Sequence, residues 1–282
     1  MSGQGNPWDI PEWHSIGREA ALVRHLIGSG TTALGRANYA DKIGEYYTAF
    51  FGLSVGLERL AKLILVADHA ISNNGQMPAE DVVRRYGHKL IDLMDAAHTA
   101  ATKHALKLRY SRPTTAINMK IVECLDAFAD AGRGRYANFA ALGDPNLGRE
   151  EPINKWWGEV AELILKEYYY GKPIQRNVEG RASVIDALMS PVSTVLHINE
   201  TGDAMQDVRI SSIRTGQTEL VQRHGRYFAL TVVRWLSEVF SELSQSACYA
   251  HNIGAFFGVN EYFQTYTVED HFLKTRRIWP LS

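Results

Sequence analysis

Cysteine is nearly absent from this chain: there are two in 282 residues, Cys124 and Cys248, far apart and each set in an apolar helical pattern. That excludes a disulfide framework and a Cys-X-X-Cys motif, and it fits a reducing compartment, so a cytoplasmic protein is expected. A basic excess is absent too. Thirty Lys and Arg face thirty-one Asp and Glu, a formal net charge of −1, and neither half departs far from balance. A protein that coats DNA through many phosphate contacts is thereby excluded, although a local basic patch is not. No run of about 20 apolar residues occurs, because Leu60 to Ala67 is short and Tyr227 to Phe240 is interrupted by Arg234. No membrane segment is expected. Met1 to Pro11 lacks the apolar core of a signal peptide, so export is not expected. The ten histidines include no His-Glu-X-X-His. Gly132-Arg-Gly134 is a fragment of a dinucleotide fingerprint with no strand leading into it, and there is no Walker loop, so neither a metal nor a cofactor is expected.

The alternation of a half-buried strand is also nearly missing. What the chain has instead is apolar residues at helical spacing almost throughout, with 45% hydrophobic and 22% charged residues, enough for a sizeable core. The expected fold class is therefore all-α. A first helix is predicted from about Trp13 to Ile27, with Gly28-Ser29-Gly30 as its stop. A long second helix spans Tyr39 to Ile71, on the period Ile43, Tyr46, Tyr47, Phe50, Leu53, Leu57, Leu60, Ile64 and Ala67, and ends at Asn73-Asn74-Gly75. Pro78, Glu80 and Asp81 suit the start of a third helix carrying Val82, Tyr86, Leu90, Leu93 and Ala97. A fourth begins near Thr114 or Thr115 and runs past Ile117, Ile121, Cys124 and Phe128 to Gly132.

Turn formers concentrate between Gly143 and Pro152, which sets the main boundary: residues 1–145 as one helical bundle and 146–282 as a helical domain of unassigned family. Beyond it, helices are predicted at about Ile153 to Tyr169, Arg181 to His197, Leu220 to Cys248 and Val268 to Arg277. Val208 to Ile213 is β-prone and reads as a short strand.

Gly52-Leu53-Ser54-Val55-Gly56 matches the nucleophile-elbow pattern, but no strand precedes it, so its small residues are read as a close helix contact. Three other segments carry chemistry. They are Gly56-Leu57-Glu58-Arg59-Leu60-Ala61-Lys62-Leu63-Ile64-Leu65, then Tyr86-Gly87-His88-Lys89-Leu90-Ile91-Asp92-Leu93, then Gly134-Arg135-Tyr136-Ala137-Asn138. In order and spacing they resemble the HEPN superfamily over roughly residues 39–142. The resemblance implies a HEPN-like helical bundle in a prokaryotic defence or toxin-type protein that acts on or senses RNA, either as a metal-independent ribonuclease or as a nucleotide binder. It points to His88 and Arg135 as catalytic, with Glu58, Lys62, Tyr136 and Asn138 as ligand-binding residues. It also implies a homodimer, for which Tyr46, Tyr47, Phe50 and Phe51 offer aromatic surface, and a partner protein encoded nearby.

The family's ribonucleases carry an Arg followed four to six residues later by His, and no such pair occurs in residues 39–142. Arg18 and His25, seven apart on the first helix, are read as a chance match. Between Asp95 and Glu123 there is no acidic residue, while Lys103, Lys107, Arg109, Arg112 and Lys120 fall there with His104 and Tyr110 among them. Basic groups with an interleaved aromatic suit RNA contact. A second reading stands beside each of these: Glu58 and Lys62 as an ion pair one turn apart, His88 as a structural histidine, Arg135 as a helix cap, and the basic interval as a solvated helix end. On that reading the protein is a non-catalytic helical interaction or dimerisation module.

Overall fold

The computed structural model describes residues 6–129, 136, 139, 142–143 and 151–281. The fold is all-α. Among the described residues the helices are α1 (Pro11–Leu34), α2 (Gly44–Ser72), α3 (Glu80–Arg85), α4 (Leu90–Lys103), α5 (Ala116–Ala129), α6 (Pro152–Lys155), α7 (Glu162–Tyr168), α8 (Pro173–Met189), α9 (Val208–Gln245) and α10 (Asp270–Thr275). A π-helical segment, Trp156–Ala161, joins α6 to α7 without a break, and a second, Ser246–Ala250, closes α9. Among the described residues the only sheet is β1 (His197–Ile198) paired antiparallel with β2 (Ala204–Met205). No helix among them is long and apolar enough to cross a membrane.

The chain forms two compact units, each from separated segments. One takes Met1–Thr31, Phe51–Thr114 and Leu230–Ser282, the other Thr32–Phe50 and Thr115–Ala229. In the first unit the predicted period of α2 is obeyed, with Leu53, Leu57, Leu60, Ile64 and Ala67 all buried beside Ile16, Ala20, Val23 and Ile27 of α1. Where the sequence predicts that Gly28-Ser29-Gly30 stops α1, the helix runs through. The glycines serve close approach instead. A Cβ on Gly52 would lie 2.6 Å from the Leu26 carbonyl oxygen and 2.9 Å from the Gly30 Cα, and one on Gly28 would lie 2.7 Å from the Pro280 carbonyl oxygen. Ser54, fully buried, bonds back to the Phe51 carbonyl, so the Gly52 to Gly56 segment is helix packing.

The predicted third helix is two helices. Gly87 at φ 78° breaks it, which the left-handed region permits for glycine, and His88 therefore sits in the turn before α4 and not on a helix. In the second unit α5 starts one residue after Thr115, whose hydroxyl accepts from the Asn118 N–H, as an N-cap does. Glu151 caps α6 by accepting from Ile153 and Asn154 N–H groups. Val208 to Ile213, read as a strand, opens α9: burial of Leu220, Val221 and Ala229 on one long helix overrides the local β propensity. Tyr46 and Phe50 are core residues, with Phe50 packed 5.7 Å from Phe128 and 5.5 Å from Trp156. Of the four aromatics put forward for a dimer face, only Phe51 is largely exposed.

Candidate active site

Among the residues singled out from sequence, the structure brings Glu58, Lys62 and His88 together. Glu58 and Lys62 lie one turn apart on α2, while the Gly87 turn swings His88 onto them. One carboxylate oxygen, Glu58 Oε1, accepts from Lys62 Nζ at 2.9 Å and from His88 Nδ1 at 2.9 Å. The carboxylate and the lysine are largely covered, at 14% and 15% side-chain exposure, whereas the imidazole is 79% exposed. Burial pushes the Glu58 carboxyl up, but the hydrogen bonds and charges of Lys62 and His88 outweigh it and hold the carboxyl below its ordinary value. Glu58 thus stays ionised at neutral pH. Because a carboxylate only accepts, Nδ1 of His88 carries the proton, and Nε2 is the nitrogen left to exchange one.

A second cluster repeats this pattern further along α2, ten residues or about 15 Å on. Asp68 Oδ1 accepts from Lys103 Nζ at 2.7 Å and from His104 Nε2 at 2.7 Å, and Lys103 also reaches Ser72 Oγ at 2.6 Å. Burial raises the Asp68 carboxyl, and the bonds from Lys103 and His104 more than reverse this, so its pKa is lowered. Between the two clusters Ala61, Leu65 and Leu93 form a buried patch against Tyr86 and Ala96. The second cluster differs in exposure: its histidine is covered, so it pins the end of α4 to α2.

The basic interval is largely neutralised. Besides Lys103, Arg109 pairs with Glu269, and Arg112 pairs with Asp95 at 2.6 Å while lying 5.5 Å over the Trp235 ring. The Glu238 carboxylate accepts from the Tyr110 N–H at 2.8 Å and also from that of Arg109. Lys107 lines a shallow cleft with Glu242 and Tyr249. The sequence shows an interval free of acids, and the fold supplies them from α2, α4, α9 and the segment before α10. Asp68 is the residue that sequence reasoning passed over; its only signal was its spacing of ten from Glu58 on the same helix. Tyr136 is exposed, at 58%. Arg135 and Asn138 lie outside the described residues. Arg18 and His25 are both exposed on α1, and Arg18 lines a cleft.

Among the described residues no group of three or more His, Cys, Asp and Glu is placed to hold a metal ion. Burial pushes the Cys124 thiol up to about 12, which makes it a poor nucleophile. No protein-family model, curated protein or solved structure matches the chain.

Proposed function

We propose that this protein acts on RNA, as a HEPN-like protein of the prokaryotic defence or toxin type, with His88 as its proton-transfer residue. The observation that carries the reading is an exposed imidazole held through Nδ1 by a covered, ionised carboxylate. That pairing orients the ring, selects its tautomer and leaves Nε2 as the nitrogen that can take a proton. Attack of a ribose 2′-hydroxyl on the adjacent phosphate needs such a base and no metal: the proton goes to His88, the 2′-oxygen bonds to phosphorus, and the 5′-oxygen leaves. Arg135 is proposed to offset the phosphate charge. Purified protein incubated with total RNA should yield discrete fragments ending in 2′,3′-cyclic phosphate. His88→Ala should abolish them without lowering the melting temperature, because an exposed side chain contributes little to stability. Fragments that persist in that variant, or none in the wild type, reject the reading.

A second reading, the non-catalytic interaction module, draws on two observations. Lys103, Arg109 and Arg112 are already engaged by carboxylates, and α8 has only Ala182 buried. Around α8, the side chains of Val184, Leu188, Val192, Leu196, Ile198 and Ile210 are each 55–79% exposed. Large apolar side chains left exposed in this number on one helix and the segments after it are what an interface between chains covers. We infer that a second copy of the chain covers this face. Both readings include that homodimer, and cleavage of RNA separates them.

A further inference from the structure

In the first unit a cleft of about 710 Å³ lies between the first turns of α1 and the segment from Phe257 to Gln264, within the about 300–1,000 Å³ typical of small-ligand pockets. Its floor is open because α1 presents Gly17 and Ala21 there, one turn apart on the stripe that begins at Trp13. Both walls are tied in place. Trp13 Nε1 donates to the Phe257 carbonyl at 2.7 Å, and the Tyr266 hydroxyl donates to the Arg24 carbonyl at 3.1 Å. Val259 and Phe263 anchor the opposite wall in the core.

The lining is chemically lopsided. Two guanidinium groups, Arg18 and Arg24, meet one carboxylate, Glu261, with the Tyr262 hydroxyl and Gln264 as neutral hydrogen-bonding groups. Arg18 makes no ion pair among the described residues, and its nearest polar contact is Ser15 Oγ at 3.5 Å. Arg18 shares this lack of an ion pair with other surface arginines such as Arg176 and Arg181; what sets it apart is its place in the lining of this cleft. Aromatic rings gather at the same mouth. Trp8 packs edge-on to Trp13 at 5.4 Å, His14 lies 5.0 Å from Trp13, and His14 Nε2 is 2.9 Å from the Trp8 carbonyl. Phe257, 41% exposed, is a lining ring that faces solvent in the cleft that Arg18 also lines, and Trp8, 70% exposed, stands behind Trp13. Planar apolar surface next to a guanidinium suits a ligand that is a flat ring at one end and an anion at the other.

We propose that this cleft binds a small phosphate-bearing molecule with a planar ring, its phosphate on Arg18 and its ring against Phe257 and Trp13. The cleft shares no residue with Glu58, Lys62 and His88, so its failure and that of RNA cleavage are distinguishable. The probes are AMP and UMP, with inorganic phosphate and adenosine as the separated halves, titrated calorimetrically into the full chain. At least one nucleotide should bind with Kd below about 1 mM, and inorganic phosphate and adenosine should each bind at least about tenfold more weakly. Arg18→Glu should weaken nucleotide binding at least about tenfold and leave adenosine unchanged, because it reverses the charge at the phosphate only. Phe257→Ala should weaken adenosine and the nucleotides in parallel and leave phosphate unchanged. Melting temperatures check that both variants fold, and Arg18→Gln replaces Arg18→Glu if that variant does not. No saturation by either nucleotide, or wild-type affinity in the folded Arg18 variant, overturns the proposal; equal affinity for a nucleotide and for either half does so too.

Discussion

Replacing Gly52 with alanine tests the packing that places Glu58 and the rest of α2. In an open helix the change stabilises by about 1 kcal/mol, because alanine loses less backbone entropy. At Gly52 the sign should reverse. The new Cβ would sit 2.6 Å from the Leu26 carbonyl oxygen and 2.9 Å from the Gly30 Cα, both backbone atoms that no side-chain rotation can move away. The two helices must separate, and overpacking of this kind costs about 1–3 kcal/mol, with the lost contacts along the interface added to it. The net loss of about 1–2 kcal/mol corresponds to a fall in Tm of about 2–8 °C for a chain of this size. Gly180, exposed in the middle of α8 with nothing within 4 Å of its Cβ position, is the matched control. Gly180→Ala should raise Tm by about 2–4 °C. Thermal unfolding followed by helical circular dichroism reads both. A Gly52→Ala variant that melts at or above the wild type, while Gly180→Ala rises as expected, refutes the close α1–α2 contact.

Other outcomes follow from the charge clusters and the exposed face. Glu58 and Asp68 are held below their ordinary pKa values, so their contribution is complete above about pH 4 and is lost as pH falls through the lower folded values. Glu58→Gln with Asp68→Asn should therefore lower Tm at neutral pH and flatten its fall below about pH 4; an unchanged acid limb counts against both clusters. Lys103→Glu should cost about 1–2 kcal/mol by facing Asp68 with a like charge. If Lys103→Glu with Arg109→Glu instead leaves Tm alone and flattens the salt dependence of RNA binding, the interval is an RNA surface after all. Leu188→Asp with Leu196→Asp should turn a dimer into a monomer in sedimentation at tens of micromolar, with little change in Tm of the monomer; a wild type that is monomeric there removes the second copy from the α8 face.

What the sequence determined by itself is the content of its local periods. The apolar spacing of α5 and of α2 from Phe50 on, the Thr115 start and the turn at Asn74 and Gly75 depend on residues within a turn or two of one another, and each is found in place, whereas Ile43 lies before α2 and is exposed. The absence of a strand before Gly52-Leu53-Ser54-Val55-Gly56 was likewise enough to read it as a helix contact. Tertiary structure decided whatever depends on partners distant in the chain. Gly28 and Gly30 look like a helix stop until Pro280 and Gly52 arrive beside them, and only then is their lack of a side chain a packing property. Lys103 and Arg109 look like an uncompensated basic interval, because Asp68 and Glu269 are far away in sequence and close in space. His88 and Glu58, thirty residues apart, meet through a single positive-φ glycine turn. Spacing along one helix is read from the chain because backbone geometry sets it. Which carboxylate neutralises which cation follows only from how the helices pack.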